Sequence, residues 1–461
     1  MSTAKPHILL YPFPDSGHII PLLDLTRLLL TRGLTVTVSV TPENLPLLGP
    51  LLSRHVSSLN PLLLPSPDTQ SNRRRTFYRD LHYPFLLQWF KSHTSPPVAI
   101  VSDFFLGWTH QLACQVGVPR VVFSPSGAIG LSMFFTLWKD LPKVDDPSDI
   151  NSLLSIPDFP NCPALPWYQV PQLYRLFKEG DPDWEFHRNG CMDNIASWGI
   201  VLNTSTCLEQ VYIDHIKKQV GHDRVWAVGP VLPTQNDDST APTDRGGPSS
   251  VPCHELMKWL DARKEGSVVY VSFGSRVVLT SKQMDELAAG LEKSGVHFIW
   301  CVRQPKENRV AGDYGKISNG FEDRVAGRGY IIKGWAPQVS ILRHPAVGTF
   351  LTHCGWNSTL EGIAAGVMML TWPMGAEQFL NAQLLVEQLR VGIRVGEGSQ
   401  NIPESAVLAS LLAEALNVTR PERLRAKELH DAVLGAVVKG GSSDKDLNEF
   451  ADSLYELKCD Y

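Results

Sequence analysis

Residues 350–362 read FLTHCGWNSTLEG, which crowds a histidine, a thiol, an indole, an amide, hydroxyls and a carboxylate around two glycines. The apolar run GTFLTH (348–353) predicts a strand, Gly355 a tight turn, and the pattern over 356–365 a helix. The first backbone N–H groups of such a helix point back over the strand end, where the helix dipole favours negative charge. Asn357 and Ser358 add side-chain donors in that turn. Glu361 follows Asn357 by four residues on the same helical face and can accept from vicinal hydroxyls. An anion joined to a sugar ring would satisfy all of these groups, as a nucleoside diphosphate does. Asn or Ser at a helix start is also an ordinary cap, and the spacing by itself leaves both readings open. His353-Cys354 does not read as a metal pair, because adjacent strand residues point apart and no second pair is spaced to help.

Two neighbouring stretches favour the anion reading. WAPQ (335–338) opens a helix after another strand; Trp335 offers a flat face for a base, with Ala336 and Gln338 placed to bond its edge. WPMGAEQ (372–378) sets Glu377 and Gln378 at the end of a further strand, groups suited to sugar hydroxyls.

A different chemistry stands near the start. His18, in PDSGHIIP, follows the first strand at a helix start, where the positive helix end keeps an imidazole neutral and ready as a base. Asp103, in VSDFF, ends a second strand, so both side chains can emerge on one rim, the carboxylate orienting the imidazole and stabilising the imidazolium as it forms.

The elements that must position these groups alternate. PHILLYPF (6–13), a helix over 21–32 and LTVTVSVT (34–41) make a strand-helix-strand unit; VAIVSDFF (98–105), a helical stretch near 107–116, PRVVFSP (119–125), GIVLNTS (199–205) and VWAVGPV (225–231) continue it. The Pro- and aromatic-rich text of 145–185 reads as an irregular lid or acceptor loop. PTQNDDSTAPTDRGGPSSVP (233–252) is polar and reads as a linker. A second alternation follows, with strands over 267–275, 296–302, 329–335, 348–353, 367–373 and 392–396 and helices over 280–293, 337–342, 356–365 and 378–389. The expected class is α/β, with two doubly wound halves facing across a cleft that holds one ligand.

Bulk properties narrow the function. With 461 residues, 43% hydrophobic, the chain is long enough for two cores, and a net charge of −5 argues against nucleic acid or an anionic membrane as partner. The eight cysteines stand far apart with no C-x-x-C pair, which fits a reducing compartment. No apolar stretch approaches the roughly 20 residues of a membrane-spanning helix. The N-terminus reads as a strand rather than a signal peptide, and the Asn357-Ser358-Thr359 sequon falls where a glycan would ruin a pocket.

WAPQVSILRHPAVGTFLTHCGWNSTLEGIAAGVMMLTWPMGAEQ (335–378) resembles the signature box of plant secondary-product UDP-sugar glycosyltransferases, and the likeness extends over nearly the whole chain. FFLGWTHQLA (104–113) and VGHDRVWAVGP (220–230) are similar to the subgroup with flavonol and benzoate glycosyltransferases. The resemblance implies the GT-B fold: residues 1–235 as an acceptor-binding Rossmann-like domain, 236–252 as linker, 253–445 as the UDP-sugar domain, and 446–461 as a C-terminal helix returning to the first domain. It implies that Trp335 stacks on uracil while Ala336 and Gln338 bond it. Glu361 would hold the ribose, with His353, Asn357, Ser358 and Ser275 of SFGS on the diphosphate beside the turn residues Gly355 and Trp356. Trp372, Glu377 and Gln378 would contact the sugar. A glutamine at the end of the box is associated with glucose, whereas a histidine there is associated with galactose in some members and also appears in a rhamnosyl-transferring relative, so Gln378 points to UDP-glucose. Two departures stand out: Met368 replaces the usual proline of a GVP triplet, and residues 62–84 look short and carry Arg73-Arg74-Arg75.

The implied activity is inverting transfer of glucose from UDP-glucose to a hydroxyl of a small phenol such as a flavonoid or benzoate, in the cytoplasm, by a monomer using no metal or other cofactor. His18 and Asp103 would act as base and orienter. Phe104, Phe105, Trp108, Phe123, Met133, Phe134, Phe135 and Trp138 supply aromatic and apolar surface for the acceptor or for the core. UDP-rhamnose or UDP-xylose as donor, and a non-catalytic UDP-sugar-binding relative, are the alternatives. A nicotinamide-dependent oxidoreductase is disfavoured because PFPDSGH, not G-x-G-x-x-G, follows the first strand.

Overall fold

The computed structural model describes residues 5–66, 76–233, 245–303 and 315–459; Arg73-Arg74-Arg75 and residues 236–244 of the expected linker lie outside them. The chain divides into two compact units, Met1–Thr240 with Gly435–Tyr461, and Ala241–Leu434.

In the first unit the strands are β1 (His7–Tyr11), β2 (Thr35–Val40), β3 (Leu59–Leu63), β4 (Ala99–Asp103), β5 (Arg120–Ser124), a separate hairpin of β6 (Leu153–Ser155) and β7 (Ala164–Pro166), then β8 (Gly199–Leu202) and β9 (Val225–Ala227). Seven of them form one sheet in the order β3-β2-β1-β4-β5-β8-β9, every pair parallel. Such a sheet is covered by helices on both faces, so its central strands are continuous apolar runs rather than alternating ones: all five residues of β1 are buried, as are all five of β4. The order reverses direction at the β1–β4 pair, where Tyr11 sits opposite Ser102. Chain connections leave that point in opposite senses, which opens a crevice beyond the strand ends.

The second unit holds β10 (Val268–Ser272), β11 (His297–Val302), β12 (Gly329–Lys333), β13 (Val347–Thr352), β14 (Met368–Thr371) and β15 (Gly392–Arg394), in the order β12-β11-β10-β13-β14-β15, again parallel throughout. Its reversal lies between β10 and β13, with Ser272 opposite Thr352. One core cluster gathers Val269, Val271, Leu351 and Leu370 from the strands and Trp372 just past β14 with Leu287, Leu291, Leu408 and Leu412 from the helices Ser281–Ser294 and Ser405–Ala415.

The stretch expected to be irregular carries order of its own. β6 and β7 pair antiparallel, and the helix Pro182–Ile195 begins at Asp181, whose side chain accepts from the N–H groups of Asp183 and Trp184. The C-terminal helix Ser442–Cys459 belongs to the first unit: Phe450 packs on Trp226 with ring centroids 5.1 Å apart, and Asp446 accepts from Ala227 N at 2.7 Å.

Candidate active site

His18 stands in the first turn of the helix Ser16–Thr31, directly after β1; the cap of that helix is Asp15, which accepts from Gly17 N at 3.3 Å. Asp103 closes β4 and is wholly buried. Because β1 and β4 are neighbours at the reversal, the two side chains meet: His18 Nδ1 lies 2.8 Å from Asp103 Oδ2. The other carboxylate oxygen accepts from Phe105 N at 2.9 Å, which orients the group. An Nδ1–H donated to Asp103 puts the lone pair on Nε2, the nitrogen that takes a proton. The ring is held flat: Phe105 stacks at 4.9 Å and Phe104 at 5.7 Å, and Phe13 meets it edge-on at 5.4 Å.

Beneath Asp103 lies a cation that the sequence reading missed. Arg120, opening β5, is fully buried, donates to Ser102 Oγ at 2.8 Å, to Ser197 Oγ at 2.9 Å and to the Asp103 carbonyl at 3.4 Å. Burial lowers its pKa to about 9, against the charges of Asp193 and Asp103, which raise it. An arginine at the head of an otherwise apolar strand was the available signal, since a buried charge needs a built set of partners. Of the eight apolar residues offered for an acceptor pocket, only Phe105 and Phe134 are half-buried; the other six are core. Phe13 and Tyr78, in T-shaped contact at 5.5 Å and both half-buried, join Phe105 on that surface and were not foreseen.

In the second unit, Ser275 is exposed just past β10, and His353 follows β13 beside it. The two glycines around His353 are there for space. A Cβ on Gly274 (φ +73°) or on Gly355 would come within 2.5 Å of the imidazole. Between them Cys354 takes φ 64°, a left-handed conformation costing a non-glycine residue about 1–3 kcal/mol, so the surrounding fold imposes it. Burial pushes the His353 pKa down to about 4, so the ring is neutral, and its Nδ1 is buried with no hydrogen-bond partner.

The helix Trp356–Ala364 starts at Gly355 with no side-chain cap, so Asn357 and Ser358 are not capping residues. Ser358 instead accepts from Gln338 Nε2 at 2.9 Å. Glu361, buried, accepts from Gln338 Nε2 at 2.7 Å on Oε2 and from Arg245 on Oε1. Trp335 is half-buried, with the Arg303 guanidinium 4.6 Å over its ring. Glu377 and Gln378 follow the second left-handed non-glycine residue of the box, Ala376 (φ 54°); Gln378 Oε1 accepts from Met374 N at 2.9 Å and Gly375 N at 3.2 Å.

Residues 227–405 match the family model described as UDP-glucoronosyl and UDP-glucosyl transferase. Over 98% of the chain, the sequence is 49% identical to flavonol 3-O-glucosyltransferase UGT89B1 of Arabidopsis thaliana, covering 97% of that protein. The chain belongs to the UDP-glycosyltransferases. This transferase is 48% identical to UDP-glycosyltransferase 89B2 of Stevia rebaudiana, with 98% of each chain covered. The crystal structure of Arabidopsis thaliana UGT89C1 complexed with UDP-L-rhamnose superimposes with a TM-score of 0.80 at 35% identity, covering 98% of this chain and 100% of that one. Its two parallel α/β units put the enzyme in the GT-B class.

Within the transferase, two residues of the box make contacts inside the protein. Trp372, directly after β14, is fully buried in the core, edge-on to Phe273 at 5.3 Å. Gln338 Nε2 donates to Ser358 and Glu361, while its Oε1 accepts from Tyr270 Oη at 3.0 Å. Ala336 is buried, and its carbonyl accepts from Gln338 N at 2.8 Å.

Proposed function

We propose that this enzyme transfers glucose from UDP-glucose, with inversion, to a hydroxyl of a flavonol or related phenol. The observation that carries the reading is the His18–Asp103 pair at 2.8 Å, placed at the reversal of the first sheet. His18 Nε2 removes the acceptor proton as the acceptor oxygen attacks the anomeric carbon; the bond from that carbon to the diphosphate breaks, and its electron pair leaves on UDP. Asp103 then faces an imidazolium.

Trp335 stacks on uracil, and Glu361 accepts from the ribose hydroxyls. The diphosphate lies at the uncapped start of the helix Trp356–Ala364, where backbone N–H groups, Asn357, Ser358, Ser275 and the neutral imidazole of His353 meet the growing negative charge. This donor set takes over the task a divalent cation would have, so the reading includes no metal. Glu377 and Gln378 read the sugar; with Gln378 Oε1 held by the turn, its Nε2 is the group turned to a hydroxyl.

The acceptor class rests on the 49% identical flavonol glucosyltransferase and on the aromatic surface of Phe13, Tyr78, Phe105 and Phe134 around the base. Free cysteines at 114, 162, 191, 207, 253, 301 and 354 suit a reducing cytoplasm, and the reaction draws on residues of one chain, so a monomer suffices. No helix among the described residues is long and apolar enough to cross a membrane. A second reading, transfer of rhamnose, is favoured by the likeness to the structure holding UDP-L-rhamnose. Mass spectrometry of products from UDP-glucose, UDP-rhamnose, UDP-xylose and UDP-galactose against flavonols and benzoates decides between them. A rhamnoside as main product overturns the donor assignment, and no product with any pair overturns the activity.

A further inference from the structure

We propose that Arg245 is a positioning residue of the donor site, fixing Glu361 and Trp335 so that one nucleoside can meet both. The inference rests on the reading above in which Glu361 holds ribose and Trp335 holds the base. Arg245 comes from the text that reads as linker, yet its side chain is engaged with the box: Nη1 donates to Glu361 Oε1, with only 10% of the arginine and 4% of the glutamate side chain exposed. Gln338 Nε2 donates to the opposite oxygen at 2.7 Å. Each carboxylate oxygen therefore has one protein donor, which sets the plane of the group and leaves each oxygen a second lone-pair direction for a hydroxyl. The bond from the guanidinium is charge-assisted, and so fixes the carboxylate more firmly than a neutral donor would.

The same short segment holds the base wall. The Arg245 carbonyl accepts from Trp335 Nε1 at 3.2 Å, which fixes the rotation of the indole. Ser250 N donates to the Trp335 carbonyl at 2.8 Å, and Trp335 N donates to Ser250 Oγ at 2.7 Å. Local sequence builds this strap. Gly246 (φ 80°) and Gly247 (φ 118°) turn the chain through left-handed conformations directly after Arg245. Gly334 makes room for Ser250, since a Cβ there would lie 2.2 Å from Ser250 Oγ. Arg343 feels the charges of both Arg245 and Glu361, so positive charge is not scarce near the carboxylate. What Arg245 contributes is placement, with its guanidinium on one wall and its carbonyl on the other.

The test compares, by titration calorimetry, UDP with 2′,3′-dideoxy-UDP, which lacks both ribose hydroxyls, on the wild type, Arg245→Met, Arg245→Lys and Glu361→Gln. In Arg245→Met, UDP binding weakens by about tenfold while the dideoxy analogue changes by about twofold or less, because only the hydroxyl contacts depend on the aimed carboxylate. Arg245→Lys recovers most of the preference for UDP. If the Met variant does not fold, Arg245→Gln replaces it with the same expectation. Equal weakening of both ligands, or an unchanged preference, overturns the inference while leaving the ribose reading intact, provided that Glu361→Gln has lost the preference. A Glu361→Gln variant that keeps it removes the ribose reading and Arg245's role with it.

Discussion

His18 Nδ1 and Asp103 Oδ2 are 2.8 Å apart although 85 residues separate them, because β1 and β4 are neighbours at the point where the first sheet reverses its order. Replacing His18 by Ala removes the proton acceptor and should lower turnover about a hundred- to ten-thousandfold on an aliphatic alcohol, with UDP affinity unchanged. Asp103→Asn, which no longer selects the Nδ1–H tautomer, should fall in the same range. Initial rates on an alcohol whose hydroxyl is not ionised at assay pH are the check; near-wild-type rates for His18→Ala would remove it as the base.

His353 makes stability depend on pH. Its pKa of about 4 in the fold lies below the ordinary histidine value of 6.5 because burial disfavours the charged ring. Between those values the unfolded chain binds more protons than the native one, so stability is lost as pH falls from about 6.5 towards 4, on the order of 1–3 kcal/mol in all. Denaturant midpoints at pH 7 and pH 5 should differ less in His353→Gln than in the wild type. An equal acid loss in both would locate the effect elsewhere.

Gly274 and Gly355 reserve the volume of the same imidazole. Gly274→Ala adds a Cβ 2.5 Å from the ring at a φ of +73°, a clash and a backbone strain together. We expect a loss of about 1–3 kcal/mol in stability and weaker UDP binding. Gly355→Ala meets the ring at the same 2.5 Å without the left-handed backbone, so it should weaken UDP with a smaller fall in melting temperature. Melting curves paired with UDP titrations separate the two; an unshifted UDP affinity in both variants would detach His353 from the diphosphate.

Gln378 carries the donor prediction. An imidazole at this position cannot reproduce one oxygen accepting from both Met374 N and Gly375 N, so the turn at Ala376 must shift. Gln378→His should lower kcat/KM for UDP-glucose by about tenfold or more while UDP itself binds as before, and the ratio of UDP-galactose to UDP-glucose use should rise. Competition assays with the two donors read this directly, and an unchanged ratio would take Gln378 out of sugar recognition.

Legibility in the sequence followed how local each signal was. The buried strands announced themselves as β-branched runs, TVTVSV in β2 and VVYVS in β10 among them, because a doubly covered parallel strand has no exposed residue to interrupt it. Helices with a less regular apolar stripe went unread. Phe77–Ser92 contains Pro84, and Thr206–Val220 has a kink at Glu209. For Pro182–Ile195 a signal did exist, an aspartate cap followed by proline in the first turn.

The candidate site divides along the same line. Residues within one strand-turn-helix unit, such as His353, Asn357, Ser358 and Glu361, could be grouped from spacing, since 3.6-residue periodicity and the turn at Gly355 determine their neighbours. Contacts between distant segments could not: Arg120 under Asp103, Gln338 bonded to Glu361, Trp372 packed in the core, and Arg245 reaching Glu361 across 116 residues. Sequence alone determined the buried strands of the two parallel sheets, the turn at Gly355 and the chemical groups they carry, because those follow from propensity and short-range pattern. Which groups touch was decided by strand order and side-chain packing, since a hydrogen bond depends on ångström-scale placement that only the assembled sheet supplies.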